Sequence, residues 1–310
     1  MKRVGVSILL AFAVTAAMQS CFTGVESTPK ITESDIKHQH AETRTPESEY
    51  FDSVRHGAFS EWQKGKKFIV TDSRISLALD GANANDSTLV GRTLRFDRIQ
   101  PYSSITGQNA TEIVFTDSIG RTYVYRTNLS SDGIASRNRL EIPFTIEHSV
   151  VDKASKILDG KQLFLISPAV RTISGNLVNS PKFVAVVIDK VETGSQFYPV
   201  KVIFHYVDNP TIVRQVNLSI GDESNSRKFG NFFSFTNPRI RYPAISDEVW
   251  KNIVNNKADI GMTRDECRLA LGAPRTTDKV PTRNGIVESW IYDSGTQLFF
   301  TDGLLTEIKK

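Results

Sequence analysis

Apolar and polar residues alternate through the middle of the chain in short runs closed by Gly, Asn, Asp or Pro, the pattern of half-buried strands joined by tight turns. The clearest runs are Thr111-Glu-Ile-Val-Phe-Thr116, turning at Asp117-Ser-Ile-Gly120 into Thr122-Tyr-Val-Tyr-Arg126, and Val200-Lys-Val-Ile-Phe-His205, turning at Asp208-Asn-Pro210 into Thr211-Ile-Val-Arg-Gln-Val216. Each predicts an antiparallel hairpin.

The hairpins belong to a pattern that recurs. Gly65-Lys-x-Phe68-Ile-Val70 matches Gly160-Lys-x-Leu163-Phe-Leu165, Phe96-Asp-Arg-Ile99 matches Ile188-Asp-Lys-Val191, and Ile113-Val-Phe115 matches Val202-Ile-Phe204. The offsets run 95, 92 and 89 in order, the drift that changes of loop length leave between duplicated modules. The expectation is a mainly β chain with two small antiparallel modules, 59–145 and 146–228, each a barrel or sandwich, with an SH3-like form among those open to it.

Helical spacing enters only near the end. Phe229-Gly-Asn-Phe-Phe-Ser-Phe235 and Asn237-Pro-Arg-Ile-Arg-Tyr-Pro243 lead into it, with prolines expected to hold the stretch extended. Ser246 caps a first helix whose opening turn carries Asp247 and Glu248, with Val249, Trp250, Ile253 and Val254 as its apolar side. Thr263 and Glu266 form a capping box for a second helix, Met262 and Cys267 are spaced as a hydrophobic staple, and Gly272 and Pro274 end it. Strands Glu288-Ser-Trp-Ile-Tyr292 and Leu298-Phe-Phe-Thr-Asp-Gly-Leu-Leu305 follow, turning at Asp302-Gly303. The segment 229–310 is therefore expected to be an α+β domain, a helical pair across one face of a small antiparallel sheet.

The set Gly261-Met262-Thr263, Leu271-Gly272-x-Pro274, Glu288-x-Trp290-x-Tyr292 and Phe300-x-Asp-Gly303-x-Leu305 resembles the SmpA/OmlA (BamE-like) domain of outer-membrane lipoproteins, over about the last quarter of the chain. The resemblance implies outer-membrane assembly or maintenance as the process. Unrelated roles, enzyme inhibition among them, occur on similar folds.

The first residues read as an export signal: Lys2-Arg3, an apolar run from Val4 to Met18, then Ser20-Cys21. The run is too short to span a bilayer as a helix. Cys after a small residue at the end of such a run resembles a lipobox, so residues 1–20 are expected to be removed and Cys21 to carry the lipid; an ordinary secretory signal is the other reading. Residues 21–58, rich in Ser, Thr, Glu, Lys and Pro, read as a solvated tether. With Cys21 acylated, Cys267 has no cysteine partner in the chain and reads as a buried core thiol.

Composition adds little chemistry. Without Lys2 and Arg3, 36 basic residues face 34 acidic ones, a net of +2, which gives no footprint for nucleic acid. Motifs for nucleotide binding, zinc hydrolysis and acyl transfer are absent, and no cofactor or metal is implied. His38 and His40 are two ligands too few for a metal, His56 lies at the end of the tether, and His205 reads as a surface or packing residue. Asp52-Ser-Val54, Asp86-Ser-Thr88 and Asp117-Ser-Ile119 resemble short O-glycosylation acceptors, although Asp117 is equally a turn residue.

The functional hint lies in the aromatics. Trp250, Trp290 and Tyr292 are either core, or Trp290 or Tyr292 stands on an open sheet face as an anchor; Arg239, Arg241 and Tyr242 carry the same ambiguity. The leading expectation is a non-enzymatic, lipid-anchored cell-envelope protein, held to the outer membrane through Cys21 and serving as an interaction scaffold for an envelope protein. A ligand-binding or inhibitor module with an open aromatic face on the last sheet is the second reading, and a hydrolase with a carboxylate site between the β modules the third.

Overall fold

The computed structural model describes residues 45–82, 87–103, 109–221, 227–282 and 285–310. Cys21, His38, His40 and the Asp86 of one Asp-Ser pair lie outside them. Residues 45–310 form one unit by their contacts, and it is mainly antiparallel β. Among the described residues no helix is long and apolar enough to cross a membrane.

The chain first makes a short helix, α1 (Pro46–Phe51). Strands β1 (Lys67–Val70), β2 (Leu79–Asp80), β3 (Thr93–Ser103), β4 (Asn109–Thr116) and β5 (Thr122–Arg126) follow, then helix α2 (Ser131–Ala135) and β6 (Thr145–Glu147). Their sheet runs β2-β5-β4-β3-β1-β6. The central strand β4 is buried from Ala110 to Phe115, so its alternation is of shape rather than polarity. Phe68, Leu94, Ile113, Phe115 and Tyr123 form the core with Trp62 and Ile75. Asp117 closes the β4–β5 turn by accepting from the amides of Ile119 and Arg121 at 3.0 and 2.9 Å, which accounts for this residue without a modification.

Helix α3 (His148–Leu158) leads to a second sheet of β7 (Gln162–Leu165), β8 (Ala169–Arg171), β9 (Leu177–Asn179), β10 (Val184–Thr193), β11 (Val200–Tyr206), β12 (Asn209–Leu218) and β13 (Phe233–Ser234). Its order is β13-β7-β10-β11-β12-β8-β9. Read from the other edge, and leaving out β9, this is the connectivity of the first sheet. The register agrees residue by residue: Phe96 faces Phe115 before a bulge at Asp97, and Ile188 faces Phe204 before a bulge at Asp189. Gly65 and Gly160, with φ of 92° and 75°, donate their amides to Phe96 and Ile188 respectively. A further pair is matched in backbone but not in residue. The amide of Gly91 (φ 81°) donates to Val70, and that of Phe183 (φ 59°) to Leu165, so a phenylalanine occupies a left-handed position that the first sheet gives to glycine.

Two boundaries differ from those expected. The tether reading ran to residue 58, yet Phe51 and Val54 are buried in the second core, where Phe51 stacks on Phe229 at 5.2 Å. Tyr50 donates to the Ile157 carbonyl at 2.6 Å, and buried Glu47 accepts from Ser234 and the Phe235 amide, both at 3.1 Å. Helix α1 therefore covers the second sheet although it precedes the first. Likewise Phe229, Phe232 and Phe233, expected at the head of the last domain, complete the second core, and 3-10 turns at Phe229–Asn231 and Pro238–Arg241 interrupt the expected extension.

Helices α4 (Asp247–Val254) and α5 (Arg264–Leu271) precede a four-stranded meander of β14 (Thr276–Thr282), β15 (Gly285–Ile291), β16 (Gln297–Thr301) and β17 (Leu304–Lys309). Ser246 accepts from the Val249 amide, and the Thr263–Glu266 capping box has both of its hydrogen bonds. Ile253, Met262, Cys267 and Ala270 from the helical segment pack on Trp290, Leu298, Phe300 and Leu305 of the sheet. The equal register of the two larger sheets predicts that Phe115→Ala and Phe204→Ala, both fully buried, each lower unfolding free energy by about 3–5 kcal/mol in urea titrations. A gap between them larger than about 2 kcal/mol would show that the two cores are not equivalent in packing.

Candidate functional site

The junction between the second sheet and the last helices is built from the segment before β10. Lys182 donates its amide to the Val254 carbonyl at 3.1 Å and its ammonium to the Ala270 carbonyl at 2.7 Å, at the electronegative end of α5. Phe183, turned by its left-handed backbone, stacks on Trp250 with ring centroids 5.5 Å apart and planes 24° from parallel. Asn256 donates to the Ser180 carbonyl at 2.8 Å. Arg239 lies over the other ring system, 5.0 Å from Trp250, while its guanidinium donates to the carbonyls of Tyr242 and Ile245 and to Asp247. Tyr242 packs 5.9 Å from Trp250.

Beside this junction opens a groove of about 900 Å³, a size that holds a small molecule or a peptide segment. Its polar lining includes Lys182, Lys257 and Lys310, and its apolar lining includes Leu271, Leu298 and Ile308. No aspartate or glutamate lines it among the described residues. Burial pushes Lys182 down to about 8, because only one carbonyl replaces the water its ammonium has lost. The same burial raises the Tyr292 phenol and the Cys267 thiol to about 12. The groove is thus lined by lysines and apolar side chains, with no aspartate or glutamate among its described lining residues.

Of the aromatic residues expected as anchors, Tyr292 is among those that line the groove and Trp290 is not. Trp290 is fully buried: its indole N–H donates to Glu288 at 2.7 Å, Phe300 packs 4.7 Å away, and the Arg268 guanidinium lies 4.9 Å over the ring. Tyr292 is 8% exposed and donates to the Gly272 carbonyl at 3.3 Å. Neither stands on an open face, because residues 288, 290 and 292 alternate toward the helices. Glu288 is itself buried; burial raises its carboxyl, but Trp290, Arg264 and Lys279 outweigh this and hold it below the ordinary carboxylate value. Arg239 and Tyr242 are structural members of the Trp250 stack, and only Arg241 of that trio is exposed. His205 and His148 pair with Asp189 and Asp152 at 2.6 and 2.7 Å. Cys267 is a buried core thiol. Among the described residues no group of His, Cys, Asp and Glu is placed to hold a metal.

Comparison with protein-family models, with curated proteins and with solved structures finds no match to this chain.

Lys182, Lys257 and Asn256 carry no motif, so the groove could not be read from the sequence. One signal was present. Extending the offset of 92 from Ile188 back to residue 183 sets Phe183 against Gly91, and a bulky residue where a duplicate keeps glycine marks a backbone held for something other than the turn.

Lys182 also sets a pH test. Its folded value of about 8 lies below its ordinary 10.5, so between these the unfolded chain binds the extra proton and stability rises with pH. Cys267, raised from 9.0 to about 12, acts oppositely above pH 9. Denaturant titrations of wild type and Lys182→Met isolate the lysine: the variant should gain relative to wild type at pH 7, by at most about 3 kcal/mol, and this advantage should shrink by pH 9.5. A difference independent of pH would mean that Lys182 is not held out of water.

Proposed function

We propose that this is a lipid-anchored cell-envelope protein that works by binding, a scaffold whose lysine-lined groove holds an acidic segment of an envelope protein. The groove carries the reading. Its volume of about 900 Å³ suits a peptide segment, and Lys182, Lys257 and Lys310 line it together with Leu271, Leu298 and Ile308, with no aspartate or glutamate among the described lining residues. The N-terminal signal and Cys21 supply the anchor in this proposal, two acyl signals at that residue giving a hold that one chain does not. We read the two sheets of equal connectivity as copies of one duplicated module of the small-barrel, SH3-like kind, and the last helices and sheet as BamE-like. On that reading the process is outer-membrane assembly or maintenance, with the duplicated modules as spacers between membrane and groove.

One observation favours the ligand-binding or inhibitor reading instead. The face of the last sheet turned from the helices carries Val287, Ile291 and Phe299, with the Lys309 ammonium 4.7 Å from the Phe299 ring. An aromatic anchor on this sheet is therefore Phe299, the residue between two buried neighbours, rather than Trp290.

Two measurements check the proposal. Cys21→Ala should abolish fatty-acid labelling and detergent partitioning; retention of both rules out the anchor. Cross-linking in envelope membranes should recover a partner from wild type, with recovery falling about tenfold or more in Lys257→Glu and weakening with added salt, as like charge and screening require. If Lys257→Glu recovers the partner fully while Phe299→Ala does not, the sheet face is the binding surface.

A further inference from the structure

A second recess lies where segments next to the first two sheets meet. It is a cleft of about 280 Å³ lined by His56, Arg139, Glu141, Gln196, Phe197 and Pro199. A smaller pocket of about 20 Å³ shares four of these residues and reaches Glu147. That is room for one water-sized group. The elements that meet here are far apart in the chain: His56 follows α1, Arg139 and Glu141 lie between α2 and β6, Glu147 ends β6, and Gln196 and Phe197 form the β10–β11 turn. Gln196 ties the two sheets together by accepting from the Phe144 amide at 3.1 Å, which leaves its amide nitrogen as a donor.

The charges in this cleft are matched within the protein. Glu147 pairs with Lys66 at 2.8 Å and with His56 at 3.3 Å, and Arg139 pairs with Glu141. With each acid already facing a cation, the site has little net field to draw an ion. The matched carboxylates also speak against a free acid and base poised for hydrolysis.

One group is left over. The Oε1 of Glu147, on a side chain 3% exposed, has no hydrogen-bond donor aligned to it among the described residues; the His56 contact is close enough for charge but off the direction of a hydrogen bond. A buried carboxylate oxygen in this state wants a donor, and the small pocket is where a donor fits.

At the lip, Phe197 is 78% exposed, the most exposed large apolar side chain among the described residues. With Pro199 and Ile220 this ring gives the cleft an apolar part beside carboxylate, guanidinium, imidazole and amide groups. These planar groups offer paired donors and acceptors to a ligand whose own groups both donate and accept. Adjacent hydroxyls on a ring have that chemistry, and the C–H face of the same ring supplies the apolar surface that Phe197 can cover.

We propose that this cleft binds a neutral polyhydroxylated ligand of about one sugar ring, with a ligand hydroxyl donating to Glu147 Oε1 and a ring face lying on Phe197. The site is independent of the lysine-lined groove.

The test is titration of glucose, galactose and N-acetylglucosamine into the isotopically labelled protein, followed by NMR, with glucuronate and glucosamine as charged controls. At least one neutral sugar should give saturable shifts at residues around Gln196. Phe197→Ala and Glu141→Gln, both at exposed positions and compatible with folding, should each weaken it by about fivefold or more. Glu147→Gln, which keeps the shape but offers an amide, should do the same with the backbone shifts of the last helices and sheet unchanged. Saturable binding to none of the three neutral sugars overturns the proposal. So does tighter binding of either charged control, or binding that Phe197→Ala and Glu141→Gln leave unaltered.

Discussion

The last part of the chain meets the second sheet around an ammonium group taken out of water. Lys182 reaches from the turn before β10 to the carbonyl end of α5, and its backbone amide reaches the end of α4, so one residue touches both helices. The cost of stripping a cation of water is offset only in part by the carbonyl and by the negative end of the helix dipole, which is why its proton is held less firmly than usual. Residues from both sides of that contact line the large groove: the second-sheet region brings Pro168 and Asn179, and the last helices and sheet bring Leu271, Leu298 and Ile308.

The residue beside it explains how the contact is aimed. Phe183 holds a left-handed backbone that its counterpart Gly91 adopts without strain. For a phenylalanine this conformation costs on the order of 1–3 kcal/mol. The return is the stack on Trp250, a ring that Arg239 and Tyr242 also pack against. The two sheets therefore share their connectivity and register while differing at the point where only the second has something to dock.

The two recesses contrast in charge. Three lysines, Lys182 buried among them, line the groove with no acid among the described lining residues, whereas in the cleft between the sheets each carboxylate is matched. Such different fields would suit different ligands, an excess of cations favouring anions and matched charges leaving hydrogen-bond geometry to select. Both lie where elements distant in sequence meet.

That distinction also separates what could be read from the residues alone. The hairpins, the β4–β5 turn and both C-terminal helix starts were legible because each rests on contacts within a few residues: Asp117 accepts from amides two and four positions on, and Thr263 and Glu266 satisfy one another across three; the second turn falls at Val207-Asp208, with Asn209 and Pro210 already in β12. The equivalence of Phe115 and Phe204 was legible too, since register follows from period-two alternation and a bulge at a fixed place. Alternation divides a strand into two faces but does not say what covers each. Whether Trp290 or Phe299 met water was decided only when α4 and α5 packed on the side of residues 288, 290 and 292. The same holds for helix α1, which its position assigns to a tether and its Phe51 and Val54 assign to the second core. Lys182 and Glu147 are ordinary charged residues in the sequence; their burial, and with it both candidate sites, exists only because chain segments far apart close over them.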